Sequence, residues 1–227
     1  MSILLASGGV NGLTSSSNLS NVQSFTKLIW MKMSGSPTGY TALLAAINSG
    51  ITAYAQLYAG TGTAQLALSS NSSNLSAFPS QPTFTNWNCY AFTGTTAAAG
   101  SLIGYWQDNA GVGFVSQAIT GVAATVINDY IAGLSTLSFD ITAAYYKEWN
   151  TVLTPTQLQA EYLAAAPVIS GASLRRYLPL VNAATAGTDT SGNSFNMSAV
   201  GAVADGVGLP TFPSGASRVG LLTLGCG

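Results

Sequence analysis

Short apolar or alternating runs, each closed by Gly, Ser, Asn or Pro, recur along most of this chain and leave room for little except β-strands. Residues 25–33 place Phe25, Lys27, Ile29, Met31 and Met33 on one face and Thr26, Leu28, Trp30 and Lys32 on the other. Apolar residues on both faces predict a strand covered on both sides. Residues 40–47 form a second apolar run. Residues 52–58 and 64–68 read as a hairpin across Gly60-Thr61-Gly62, and 69–76 as a polar Ser/Asn loop. Further strand-like runs lie at 87–93, 102–107, 114–119, 124–132, 138–149, 175–180 and 195–203. Many short strands at regular spacing, with turn signals between them, predict an all-β sandwich or barrel.

One segment departs from that pattern. Thr154 as N-cap, Pro155 at the first helical position and Gln157 completing a capping box predict a helix over 154–166. Leu158, Tyr162 and Leu163 are its apolar stripe and Pro167 its stop. From Asp205 onward, Gly206, Gly208, Pro210, Pro213 and Gly215 break regular structure. The expected division is therefore a sandwich over 1–204 and an extended Gly/Pro arm over 205–227, with residues 221–224 able to add one edge strand.

Charge narrows the chemistry. Six Lys plus Arg, seven Asp plus Glu and no His make 6% of 227 residues, against roughly 25% in an ordinary domain. Without histidine, neither a Ser-His-Asp triad nor a Cys-His dyad can be built, and the usual His/Cys zinc sites fall with them. The scattered cations form no basic stripe, so nucleic acid is not an expected partner. No apolar run approaches the roughly 20 residues of a spanning helix, and residues 1–9 lack the basic n-region of a secretory signal. Net charge is −1, which gives little colloidal repulsion and favours association. Cys89 and Cys226 could form a disulfide, but the preferred reading is two free thiols, one of them buried. Glu161 is placed on a solvated helix face, and Glu148 beside Lys147 at a strand end.

Three stretches in order carry a family likeness: Ser24-Phe25-Thr26-Lys27-Leu28-Ile29-Trp30-Met31-Lys32; Trp87-Asn88-Cys89-Tyr90-Ala91-Phe92 with Gly104-Tyr105-Trp106-Gln107-Asp108; and residues 139–158, running from Phe139-Asp140-Ile141 into the helix start. A fourth joins Tyr177-Leu178-Pro179-Leu180 to Asp189-Thr190-Ser191-Gly192-Asn193. Together they resemble the concanavalin A-like lectin/glucanase superfamily in its laminin-G-like branch, over about residues 20–203. The resemblance implies an all-β, two-sheet antiparallel jelly-roll sandwich with one short helix. Asp140 replaces the usual glycine before the helix, and Asn109-Ala110-Gly111 displaces another.

The glucanase branch works through a Glu-x-Asp-x-x-Glu strand, and glycoside hydrolysis needs two facing carboxyl groups. Neither Glu148 nor Glu161 sits in such a motif, so the expected protein is not an enzyme and needs no cofactor. Asp108 with Asn109, and Asp189 with Asn193, could ligate calcium or, as preferred, shape turns through side-chain-to-backbone bonds. Tyr105, Trp106, Asp108, Asn109 and Tyr130 are the candidate glycan-binding residues. The four Trp residues are expected between the sheets, and one of Tyr145 and Tyr146 is expected partly exposed at an interface. The resulting expectation is a bacteriophage virion structural protein, made in the host cytoplasm: a capsid decoration protein or a tail or fibre module. Its partners are itself, other virion proteins and, weakly, a host-surface glycan. The alternative is a stand-alone bacterial carbohydrate-binding module.

Overall fold

The computed structural model describes residues 1–15, 24–37, 41–47, 53–59, 65–71, 74–95, 101–109, 114–120, 128–132, 134–171 and 173–212. Two antiparallel sheets face one another. The first contains β1 (Ser2–Leu5), β3 (Ser24–Met33), β8 (Asn88–Thr95), β9 (Ser101–Asp108), β10 (Val115–Thr120), β12 (Ile141–Trp149), β13 (Leu174–Leu178) and β15 (Val203–Gly206), ordered β10-β9-β8-β3-β12-β1-β15. The second contains β2 (Gly12–Ser15), β4 (Thr41–Ile47), β5 (Ala53–Ala59), β6 (Leu66–Asn71), β7 (Asn74–Ala77), β11 (Asn128–Ala132) and β14 (Ser198–Val200), ordered β14-β2-β11-β4-β5-β6-β7. The expected antiparallel sandwich is the observed architecture.

The alternation read in β3 sorts its residues as expected. Phe25, Ile29, Met31 and Met33 enter the core between the sheets, while Leu28 and Trp30 enter a second core on the outer face of the first sheet. That outer core is roofed by α1 (Pro155–Tyr162), through Leu158 and Tyr162, and by Leu209 and Phe212. Three layers explain why β12 is buried along its whole length.

The third layer corrects three sequence-based expectations. Trp30, Trp87 and Trp149 lie in the outer core, and only Trp106 lies between the sheets. Tyr145 and Tyr146 do take opposite faces, but both are buried, because the helix and residues 209–212 cover the outer one. Glu161 is buried, not solvated.

The Ser/Asn tract also differs: β6 extends to Asn71 and β7 starts at Asn74, and the two pair antiparallel. The helix begins as expected, with both bonds of the capping box formed, but ends at Tyr162. Beyond it, the carbonyls of Ala164 and Ala166 turn to the Lys147 ammonium. β15 spans the expected boundary at 204 and pairs with β1, and Phe212 meets Trp30 and Tyr145 at ring distances of 5.7 and 5.8 Å. Residues 205–212 are thus part of the folded body. Cys226 and residues 221–224 lie outside the described residues.

A bulge in β12 sets the phase of its second half. Ala144 pairs with Trp30 and Lys147 with Leu28, so Tyr145 and Tyr146 together oppose one residue of β3. Tyr145 takes φ +56° there, the left-handed region in which bulges commonly place one residue. The same point divides the neighbouring edge: β1 pairs with residues 141–143, and β13 with 146–149. Ahead of the bulge, Ile141 and Ala143 face inward; beyond it, Tyr146 and Glu148 do.

Candidate functional site

Among the described residues, seven of the twelve charged ones are buried: Lys27, Asp129, Lys147, Glu148, Glu161, Arg175 and Arg176. They form two clusters. In the inner one, Lys27 of β3 lies 2.6 Å from Asp129 Oδ1 of β11 and 2.9 Å from Glu148 Oε1 of β12. It ties the two sheets together. Arg176 Nη1 is 3.3 Å from Glu148 Oε2 and 3.8 Å from Asp129 Oδ2, and its Nη2 donates to Ser15 Oγ. Tyr146 donates its hydroxyl to Glu148 Oε2 at 3.1 Å. Burial alone would raise Glu148, but Lys27, Arg176 and Arg175 outweigh it and hold this carboxyl down to about 2. Asp129 is displaced upward, by burial first and then by Glu148.

The outer cluster is simpler. Lys147 Nζ is 2.7 Å from Glu161 Oε2 and also donates to the carbonyls of Glu161, Ala164 and Ala166. The other oxygen, Glu161 Oε1, accepts from the backbone N–H groups of Val168 and Ile169. This pair fastens the chain after α1 to the sheet. Burial lowers Lys147 and Glu161 pulls it back up.

The sequence contained a signal for the inner cluster. Lys27 falls on the apolar face of β3, and a charge on such a face needs a partner. Nothing local to Asp129 or Glu148 marked them as that partner, because the three meet only across two sheets.

The candidate glycan residues are not all brought together. Tyr105 and Trp106 are neighbours on a strand and take opposite faces: Tyr105 packs at 5.1 Å from Phe114 in the outer core, and Trp106 lies between the sheets, donating its indole N–H to Ser80 O. Tyr130 is on the outer face of the other sheet, against Ala42, Ala45 and Leu134. Asp108 and Asn109 lie together at the end of β9, where they join a polar rim. Lys32 Nζ sits 5.5 Å over the Trp87 ring, Asn109 N donates to Trp87 O, and Asn109 Nδ2 donates to Thr211 Oγ1 at 3.4 Å. In the same strand end, Gln107 Oε1 is buried without a hydrogen-bond partner. The rim lies at the opposite end of β3 from Lys27.

Asp189 shapes a turn. Its carboxylate accepts from the backbone N–H of Tyr177, Ser191 and Phe195 and from Ser191 Oγ, while Asn193 Nδ2 donates to the carbonyls of Leu174 and Arg175. Phe195 covers Arg175 at 4.8 Å. Burial would raise Asp189, but these hydrogen bonds hold it below its ordinary value of 3.8. Because the folded state favours the ionised form, this stabilisation is present above pH 4 and fades as pH falls through the depressed value. Asp189→Asn should therefore destabilise the protein at pH 7. The gap from wild type in thermal unfolding should shrink as the buffer is taken below pH 4. A gap independent of pH would show that the charge plays no part.

No family model matches the chain, and no curated protein matches it in sequence. Solved structures do. A native heptameric SAP-like pentraxin from Limulus polyphemus superposes with a TM-score of 0.56 at 13% identity, over 89% of this chain and 93% of that one. A putative carbohydrate-binding protein from Bacteroides ovatus gives 0.56 at 14%, over 90% of this chain and 60% of that one. The binding domain of botulinum neurotoxin DC, in complex with SialylT, gives 0.52 at 9%, over 70% and 40%. At these identities the likeness concerns the fold, and what it establishes is that this chain is an antiparallel β-sandwich of the kind that pentraxins and lectin-like binding domains share.

Proposed function

We propose that the protein is a non-catalytic, lectin-like glycan-binding module whose contact surface is the Asp108–Asn109 rim. The rim itself carries this reading: a carboxylate, an amide and an unpartnered buried acceptor at one strand end, beside an aromatic ring capped by a lysine. Sugar hydroxyls are donors and acceptors in fixed pairs, and such groups can meet them. The Bacteroides ovatus protein, described as a putative carbohydrate-binding protein, and the toxin binding domain, in complex with SialylT, share the sandwich. Support for a non-catalytic role comes from the two glutamates, each committed to a buried ion pair and neither facing a second free carboxyl.

Glycan-array screening followed by calorimetry on the best oligosaccharide tests this. Asp108→Ala and Asn109→Ala should each weaken binding about tenfold, roughly 1.4 kcal/mol, with thermal stability unchanged. Retention of full affinity in both variants would remove the rim from the site, and no binding to any glycan by the folded protein would remove the function.

A second reading, of an assembly or virion shell component, is favoured by the surface. With the clusters inside, the charges outside the core among the described residues are Lys32, Asp108, Asp140, Asp189 and Asp205. So weakly charged a surface suits packing against copies of itself. Light scattering after size exclusion separates the readings: a defined oligomer supports assembly, and a monomer that binds glycan opposes it.

A further inference from the structure

The inner cluster places an amine, a carboxyl and a second carboxylate in one dry space. Lys27 Nζ is 2.6 Å from Asp129 Oδ1, Glu148 Oε1 is 2.9 Å from the same nitrogen, and all three side chains are 2% exposed or less. We propose that Lys27 and Asp129 condense to an intramolecular amide, an isopeptide bond joining the two sheets, with Glu148 carrying the protons.

The step balances without any other reactant. The ammonium of Lys27 gives one proton to the Asp129 carboxylate, leaving an amine and a carboxylic acid. The Nζ lone pair attacks Cγ, forming the N–C bond, and the C=O electron pair collects on Oδ2. Glu148 takes a second proton from nitrogen and delivers it to the Oδ1 hydroxyl. That group leaves as water, and the pair on Oδ2 re-forms the carbonyl. One amide N–H remains.

Each requirement has a residue in place. Nucleophile and electrophile are held in contact, which replaces a bimolecular encounter by an oriented one. Asp129 Oδ2 has no hydrogen-bond partner, and the Arg176 guanidinium stands 3.8 Å away, where charge on that oxygen would develop. Glu148, held ionised by its three cationic neighbours, can accept a proton, and the upward displacement of Asp129 favours its acid form. The product exchanges two buried charges for a neutral amide, relieving the cost of keeping ions out of water. The outer pair is a useful contrast. Lys147 and Glu161 are as close and as buried, but the amine is shared among three carbonyls and no second carboxylate touches it. The structure assigns condensation to the inner pair alone.

Intact-mass spectrometry of the purified, denatured full chain decides the matter. The expected mass is lower than the sequence mass by one water, with a branched peptide joining Lys27 to Asp129 after proteolysis. Asp129→Asn should reach the same final mass, losing ammonia in place of water. Glu148→Gln should keep its full mass. A wild-type chain that is folded by thermal unfolding yet holds its full sequence mass after prolonged incubation overturns the proposal, whatever the variants do. Complete cross-linking in Glu148→Gln would overturn the role of Glu148.

Discussion

Glu161→Ala is expected to lower stability by about 3–5 kcal/mol, the range for breaking a buried ion pair from one side, and to lower the melting temperature by roughly 10 °C, at about 2–4 °C per kcal/mol for a chain of this size. The variant leaves the Lys147 ammonium in the outer core with no counter-charge, and the N–H groups of Val168 and Ile169 lose their acceptor. Lys147→Met should cost a similar amount, because it strands the carboxylate instead. The double variant Lys147→Met/Glu161→Gln should cost less than either single change. It removes both charges, and the glutamine oxygen can still accept from both N–H groups. Denaturant unfolding of the four proteins gives the cycle. Additive losses would mean that the pair does not act as a pair.

Truncation after Ala204 is expected to be comparably damaging. It removes half of β15 from the edge of β1, and with it Leu209 and Phe212 from the roof over Trp30 and Tyr145. Two apolar side chains at about 1.5–3 kcal/mol each, discounted for the partial exposure of both, suggest a loss of roughly 4 kcal/mol before the lost strand pairing is counted. Truncation after Phe212 keeps all of these contacts and isolates the contribution of residues 205–212. If the two truncated chains melt together, those residues do not stabilise the sandwich.

These expectations mark where the sequence was legible. The face assignment of β3, the antiparallel pairing of β5 with β6, and the N-terminus of α1 follow from local alternation, chain order and a capping box, and all three hold, while the Gly60-Thr61-Gly62 turn lies outside the described residues. Glu161 was misplaced because a charge on a helix reads as solvated, although this one lies three residues after Leu158 on the buried face of the helix, while its partner, Lys147, belongs to a strand that precedes the helix. Tyr105, Trp106 and Tyr130 were grouped with Asp108 as aromatic and polar candidates, although a strand sends consecutive side chains to opposite faces and Tyr130 belongs to the other sheet. The scarcity of charge was readable, but its placement was not. Most of it sits inside, so the low count describes the surface even more strongly than the composition suggests.

The bulge at Tyr145 couples two clusters that share no atom. Lys147 and Glu148 are adjacent, so they point to opposite faces, and the one extra residue decides which cluster each of them meets. Pair the same residues in unbroken alternation, with no bulge, and the strand end turns over. Lysine would then meet Lys27 and Arg176 between the sheets, while glutamate would meet Glu161 beneath the helix. The inner cluster would then hold Asp129 as its only carboxylate against three or more cations, and the outer would hold two carboxylates with no cation. The bulge is therefore a parity lock. It makes the inner seam between the sheets and the outer seam under the helix a single all-or-nothing choice of register, so that a slipped strand is rejected at two places at once.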